Sequence, residues 1–217
     1  MIQIKSLYKS YENGTVKALD NFSLSVGHGQ VIALMGPSGC GKSTLLNIIG
    51  ALDTPDSGQL LINSKPISDY RPYSRYRSTM VGFVFQFHQL IPSLTLLENV
   101  ELPMYSRKIS AADRQKKASE MLCQTGLEER MYFYPNRVSG GERQRAAIAR
   151  SLVNNPRIVL ADEPTGSIDS VTGQKVMGFF VHHCKTNLIT LVMATHNQII
   201  ADMAQAIIRM QDGRITG

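Results

Sequence analysis

The sequence predicts an α/β domain built on a mainly parallel sheet, and three observations carry that expectation. Short, largely apolar runs recur at residues 31–35, 158–161 and 188–194, as in strands buried on both faces. Stretches with helical spacing alternate with them, and strand–helix alternation builds a parallel sheet covered by helices. The first apolar run passes straight into a glycine-rich turn and then a helix, at residues 36–52.

Taken in order, Ile2, Ile4 and Leu7 begin a strand-like segment, and Phe22, Leu24 and Val26 alternate with polar residues as in a half-buried strand. Residues 42–52 place Leu45, Leu46, Ile48, Ile49 and Leu52 at helical spacing. Residues 60–62 and 81–85 read as further strands. From residue 87 to 155 helix signals dominate. Thr95 with Glu98, Ser110 with Asp113, and Ser139 with Glu142 each have capping-box spacing, and the third opens a helix running to about Val153. Beyond Pro156 the alternation resumes: a strand at 158–161, a helix at 171–184, a strand at 188–194, a strand at 206–210 and an Asp212-Gly213 turn. The expected organisation is a single domain over 1–217. Residues 1–86 and 156–217 form its core and 87–155 a helical insertion.

At 217 residues, 43% hydrophobic and 18% charged, the chain has a globular composition. Its formal net charge of +6 can favour nucleic acid or anionic lipid, or can be a plain surplus of lysine and arginine. Cys40, Cys123 and Cys184 are odd in number and widely spaced, which points to reduced thiols and away from zinc or a disulfide framework. Residues 1–9 lack the apolar core of a signal peptide. The apolar runs are strand-sized, so any membrane this protein serves is expected to be crossed by another chain.

Gly36, Pro37, Ser38, Gly39, Cys40, Gly41, Lys42 and Ser43, followed by Thr44, fit G-x-x-x-x-G-K-[ST] between a predicted buried strand and a predicted helix. Small residues let backbone N–H groups curl around phosphate oxygens, and the helix N-terminus adds a favourable dipole. Lys42 is expected to reach the β- and γ-phosphates and Ser43 to ligate Mg²⁺. This motif alone leaves kinases, GTPases and motors open. The strand at 158–161 ends in Asp162 and Glu163. Two acids at the C-terminal end of a buried strand face the crevice where open α/β sheets bind ligands. Asp162 is assigned to Mg²⁺, and Glu163 to general-base activation of the attacking water.

Ser139-Gly-Gly-Glu-Arg-Gln-Arg145 resembles the signature of the ABC (ATP-binding cassette) family. Gly140 and Gly141 each cost about 1 kcal/mol relative to alanine inside a helix, so their place at a helix start suggests close approach by another group. In the family that group is the γ-phosphate of ATP held by the opposite subunit. The resemblance covers nearly the whole chain. It implies that Tyr11 stacks on adenine, that Gln86 senses Mg²⁺ and the attacking water, that Ser167, Ile168 and Asp169 form the interface-crossing D-loop, and that His196 contacts the γ-phosphate. Val138, Glu142 and Ile168 depart from the family's commonest residues by swaps that look tolerable, and Cys40 reads as a small filler.

The implied fold is the RecA-like P-loop NTPase core with an N-terminal antiparallel β subdomain and an inserted helical subdomain. The implied catalytic set is Glu163, His196, Gln86 and Lys42, with Ser43, Gln86 and Asp162 on the metal and ATP with Mg²⁺ as ligands. The implied partners are a second copy of the chain and a separate transmembrane permease, with no nucleic acid. The implied location is the cytoplasmic face of the membrane. Phe87, Leu90, Ile91, Leu94 and Leu96 read either as a permease-docking face or as core. Residues 53–58, 81–86, 98–103 and 161–166 look like those of lipoprotein-releasing and macrolide-exporting ATPases, with the division-linked cassette as a cousin, and Gly217 falls just past the last predicted strand, which leaves no room for a C-terminal regulatory domain. The alternative within the family is a non-transport ATPase acting on nucleic acid or the ribosome. Against it, this sequence shows no long coiled coil, second cassette or zinc module of the kind such members carry. A GTPase should show an Asn-Lys-x-Asp segment, and none is present.

Overall fold

The computed structural model describes residues 1–166 and 168–216. In chain order the strands are β1 (Ile2–Tyr11), β2 (Val16–Val26), β3 (Val31–Met35), β4 (Ser57–Ile62), β5 (Lys65–Pro66), β6 (Val81–Val84), β7 (Ile158–Asp162), β8 (Thr190–Ala194), β9 (Ala206–Gln211) and β10 (Arg214–Ile215). The helices are α1 (Lys42–Ile49), α2 (Tyr73–Met80), α3 (Leu96–Glu101), α4 (Ala111–Gln124), α5 (Gly140–Leu152), α6 (Ser170–Thr186) and α7 (Gln198–Ala201).

A six-stranded sheet has the order β10-β9-β3-β8-β7-β6, and only β10 pairs antiparallel. Its centre is β3, and all five of its residues are buried, as the continuous apolar run required. Alternation along β3 divides the core. Val31, Ala33 and Met35 face a cluster that includes Leu96, Leu122, Ile148, Leu152 and Phe180 from the helices. Ile32 and Leu34 face the other cluster, with Leu45, Leu46, Ile48 and Ile49 of α1 and Ile2, Ile4, Leu7 and Phe22 of a second sheet. That sheet is antiparallel, in the order β2-β1-β4-β5. Each large aliphatic side chain so buried contributes about 1.5–3 kcal/mol. A one-residue slip of β3 would exchange the two faces.

Several boundaries differ from the sequence reading. Helix α1 stops at Ile49, and Leu52 is exposed. Gly50 is the C-cap of α1, at a position where any side chain would collide with the Phe83 ring. Strand β6 ends at Val84 instead of residue 85. Leu188 is not part of a strand: it is exposed and left-handed at φ 54, and β8 begins at Thr190. The capping boxes at Thr95–Glu98 and Ser139–Glu142 form in full. At Ser110 only half forms, because the shorter Asp113 bonds the Ser110 hydroxyl and not its backbone. Leu96 belongs to the core at 0% exposure, so it cannot share a docking face with exposed Phe87 and Ile91.

Candidate functional site

The parallel sheet brings the C-terminal ends of β3 and β7 to one edge, with β8 between them. After β3 the chain turns tightly through residues 36–41. A Cβ at Gly36 would coincide with the Met210 carbonyl oxygen and crowd Cys40 Sγ, so nothing larger than glycine fits. Gly41 caps α1 at φ 102, a left-handed conformation that glycine adopts freely, with the Ala18 carbonyl against its open side. Cys40 is buried beside this turn, as a filler should be. The Lys42 ammonium lies across the loop, donating to the carbonyls of Gly36 at 2.8 Å and Pro37 at 2.9 Å.

At the end of β7, burial raises the Asp162 carboxyl above its ordinary range. Neighbouring Glu163 adds to the shift, while the Ser43 hydroxyl and Lys42 oppose it. Glu163 is left-handed at φ 45, and its N–H donates to the Ala194 carbonyl at 2.9 Å. This extends the β7–β8 ladder, in which Asp162 pairs with Ala194, by one bond. The consequence is a contact that the sequence did not reveal: Glu163 Oε2 lies 3.0 Å from His196 Nδ1. The carboxylate is mostly covered, whereas the imidazole is 74% exposed. Gln86 lies against Gly166, where a Cβ would stand 3.3 Å from its amide nitrogen. Tyr11 donates its hydroxyl to Asp53 Oδ2 at 2.7 Å, and the Lys9 ammonium sits 5.0 Å from its ring centroid. Burial, with that hydrogen bond, pushes the phenol up.

These groups line one cleft of about 530 Å³. Tyr11, the loop residues Gly36, Pro37, Ser38, Gly39 and Gly41, then Lys42, Ser43, Thr44, Gln86, Asp162, Glu163 and His196 all contribute to it. Polar N–H groups, one ammonium and a hydroxyl at one end suit a polyphosphate, and Tyr11 at the wall offers an aromatic face. Ser43 and Asp162 are hard oxygen donors facing one another beside Lys42. Among the described residues no group of three or more His, Cys, Asp or Glu forms a metal cage. Two protein oxygens suit Mg²⁺ bound jointly with phosphates, and so fit the expected ion.

The signature residues are elsewhere: none of Ser139, Gly140, Gly141, Glu142 and Asp169 is among the residues that line the cleft. Exposed Ser139 caps α5 by accepting the Glu142 N–H at 3.2 Å. The Glu142 carboxylate accepts the Ser139 N–H at 2.7 Å and the Arg130 Nε–H at 3.2 Å. The Ser139 backbone bond is the main force holding the Glu142 carboxyl below its usual range. Gly141 has a cause inside its own chain. A Cβ there would stand 2.9 Å from the Thr172 methyl, so α5 and α6 meet through this glycine. Asp169 caps α6 by accepting the Thr172 N–H at 2.9 Å. Ser167 lies outside the described residues.

Sequence reasoning passed over three polar groups. Asp53 gathers Tyr11 and Lys9. Asn99, fully buried in α3, bonds the backbone of Ile91, Leu94 and Thr95. Arg150 in α5 bonds the carbonyls of His88 and Gln89. An asparagine inside an apolar helix face was the one available signal.

A model of the ABC transporter family matches residues 19–166. An uncharacterised ABC transporter ATP-binding protein of Methanocaldococcus jannaschii is 44% identical over 99% of this chain and 97% of its own length. The lipoprotein-releasing system ATP-binding protein LolD of Cytophaga hutchinsonii is 42% identical, over 99% and 98%. A dimeric ATP-binding cassette of Methanocaldococcus jannaschii, solved in a post-hydrolysis state with ADP and Pi, matches with TM-score 0.92 and 41% identity, covering 100% of this chain and 97% of that one.

Proposed function

The chain belongs to the ABC transporter family as an ATP-binding, ATP-hydrolysing subunit, and from that premise we propose that two copies enclose two ATP molecules and drive a separate membrane protein. The observation that carries the reading is the convergence of Lys42, Ser43, Asp162 and the Glu163–His196 pair on one cleft. The exposed N-terminus of α5 lies apart from that cleft, which supports a site completed by the signature of a second copy. The cassette solved as a dimer with ADP and Pi is a precedent in a relative.

In this mechanism Lys42 and the N–H groups of the loop hold the β- and γ-phosphates. Tyr11 stacks on the base. Ser43, Asp162 and Gln86 would hold Mg²⁺, which when bound would neutralise phosphate charge. Glu163 takes a proton from water as the water oxygen bonds to the γ-phosphorus. The bond from that phosphorus to the β–γ bridging oxygen breaks, and ADP and phosphate leave. His196 holds Glu163 in place and reaches the γ-phosphate. Ser139 and the Gly140–Gly141 amides of the other copy close over the same phosphate, with Asp169 beside the seam.

No helix among the described residues is long and apolar enough to cross a membrane. We assign the membrane contact to a permease docking on a groove of about 410 Å³ beside exposed Phe87, lined by Leu52, Phe83, Phe85, Leu102 and Pro103 with Gln89 and Arg150. The chain would then sit on the cytoplasmic face of the membrane through that partner. Identity to a lipoprotein-releasing ATPase favours export, extraction from the membrane or mechanical transmission as the work done.

Glu163→Gln tests the reading. The variant should bind ATP and form an ATP-dependent dimer in light scattering, while steady-state hydrolysis falls about 10²-fold or more, the scale of general-base catalysis. Turnover close to the parent's would remove Glu163 as the base.

A further inference from the structure

We propose that Arg150 is a positioning residue for Gln86, acting from the far end of α5 by holding the backbone of the turn that follows Gln86; this rests on the role given to Gln86 above.

The geometry is specific. Arg150 Nη1 donates to the Gln89 carbonyl at 2.5 Å and Nη2 donates to the His88 carbonyl at 2.6 Å. Both acceptors belong to left-handed, non-glycine residues, His88 at φ 60 and Gln89 at φ 48. Such conformations persist only where the surroundings over-determine them. Here the turn is tied by three further interactions. His88 N–H donates to the Phe85 carbonyl, Gln89 N–H donates to the Phe87 carbonyl, and Asn99 holds both the N–H and the carbonyl of Ile91. The residues between Gln86 and Ile91 are thus gripped from two helices, by Arg150 of α5 and by Asn99 of α3.

The chemistry of the grip points the same way. Burial pulls the Arg150 guanidinium down to about 10, and among the described residues no carboxylate lies within ion-pair distance of it. A half-buried cation with no carboxylate beside it among the described residues is placed for directional hydrogen bonds, not for charge pairing. A planar fork matches two successive carbonyls, which a lysine ammonium cannot do in the same way.

Position gives the grip a use. Arg150 is eleven residues along the helix from Ser139, which is about 16 Å at 1.5 Å per residue. Arg150 and Gln89 line the proposed permease groove, and Gln86 lines the nucleotide cleft three residues before Gln89. A shift of α5, or pressure in the groove, can reach the turn after Gln86 through this guanidinium.

The test uses the full chain with Arg150→Met, Arg150→Lys, Gln86→Ala and the Arg150→Met/Gln86→Ala double variant. Arg150→Met should lower kcat about tenfold or more with KM for ATP within about threefold. In the Gln86→Ala background the same change should cost less than about twofold. Arg150→Lys should fall between, and in native-state hydrogen exchange its amides at 88–90 should exchange faster than the parent's while those of α5 do not. An equal loss in both backgrounds would make Arg150 an independent structural residue and overturn the proposal. Full replacement by lysine, or an unchanged exchange rate in the turn, would overturn it as well. If Arg150→Met fails to fold, the lysine variant decides. A parent chain without ATPase activity would sink the catalytic reading but leave the exchange result to decide whether the grip exists.

Discussion

Asn99→Leu removes an amide that carries a whole loop. The Asn99 side chain is fully buried in α3. Its Oδ1 accepts the Ile91 N–H at 2.7 Å, and its Nδ2 donates to the carbonyls of Ile91, Leu94 and Thr95 at 3.1, 3.1 and 2.9 Å. Two of these acceptors keep another partner after the change. The Thr95 carbonyl still receives the Asn99 N–H, and the Ile91 carbonyl still receives the Leu94 N–H. The Ile91 N–H and the Leu94 carbonyl lose theirs. A buried polar group left without a partner costs about 1–3 kcal/mol, so the two together cost about 2–4 kcal/mol, taking the lower part of the range because Ile91 is exposed and Leu94 half-buried. Leucine is close in volume, so no cavity term is added. For a chain of this size each kcal/mol moves Tm by about 2–4 °C, and the expected drop is about 4–16 °C. Urea unfolding of parent and variant should show a lower midpoint at unchanged slope. An unfolding free energy within about 0.5 kcal/mol of the parent's would mean that water serves these groups, and the loop would not depend on Asn99.

Ser139→Arg places a long cation at the exposed N-terminus of α5, on the surface proposed to meet a second copy. It should abolish the ATP-dependent dimer in light scattering while single-site nucleotide binding, followed by fluorescence titration, stays within about threefold; a variant that dimerises and hydrolyses normally would refute the composite site. Burial, with neighbouring His182 adding to it, holds the His183 imidazole below its usual range. As pH falls through about 6.5 the unfolded chain takes up the proton first, so stability should fall from pH 7.5 to 5.5. His183→Gln should flatten that slope in urea midpoints, leaving the part due to His88, which burial lowers in the same direction; an equally steep slope would exclude His183 as a source.

What the sequence disclosed was what has a local pattern. The run from Val31 to Thr44 shows strand, turn and helix in one stretch, and the acids after β7 follow a run that is plainly buried. Capping boxes are also local, and two of the three formed. The Glu163–His196 contact was hidden because it depends on the β7–β8 register, which pairing across many residues determines. Gly141 looked like an opening for a phosphate, yet its tightest neighbour is Thr172 of the same chain. Leu188 extended an apolar run without belonging to a strand, since a left-handed turn carries no mark in hydropathy. Arg150 has no sequence mark for a further reason, and Asn99 has only that of an amide on an apolar helix face. Each serves the backbone of a distant loop, and backbone carbonyls leave no trace in the side-chain sequence.

The place of β3 in the sheet has a consequence for how the protein is made. Its two neighbours are β8 and β9, which begin at residues 190 and 206, while β3 itself ends at Met35. During synthesis at about 5–20 residues per second, a strand of five buried residues and the phosphate loop attached to it wait about ten seconds or more for the partners that hold them. Nucleotide cannot guide the early chain, because the Gly36 turn packs against the Met210 backbone, which follows every nucleotide-site motif in the chain. Truncation near residue 200 would therefore leave every nucleotide-site motif intact on paper and no nucleotide site in the molecule, and ribosome-bound chains of increasing length should acquire ATP-protectable structure only after β9 has cleared the exit tunnel.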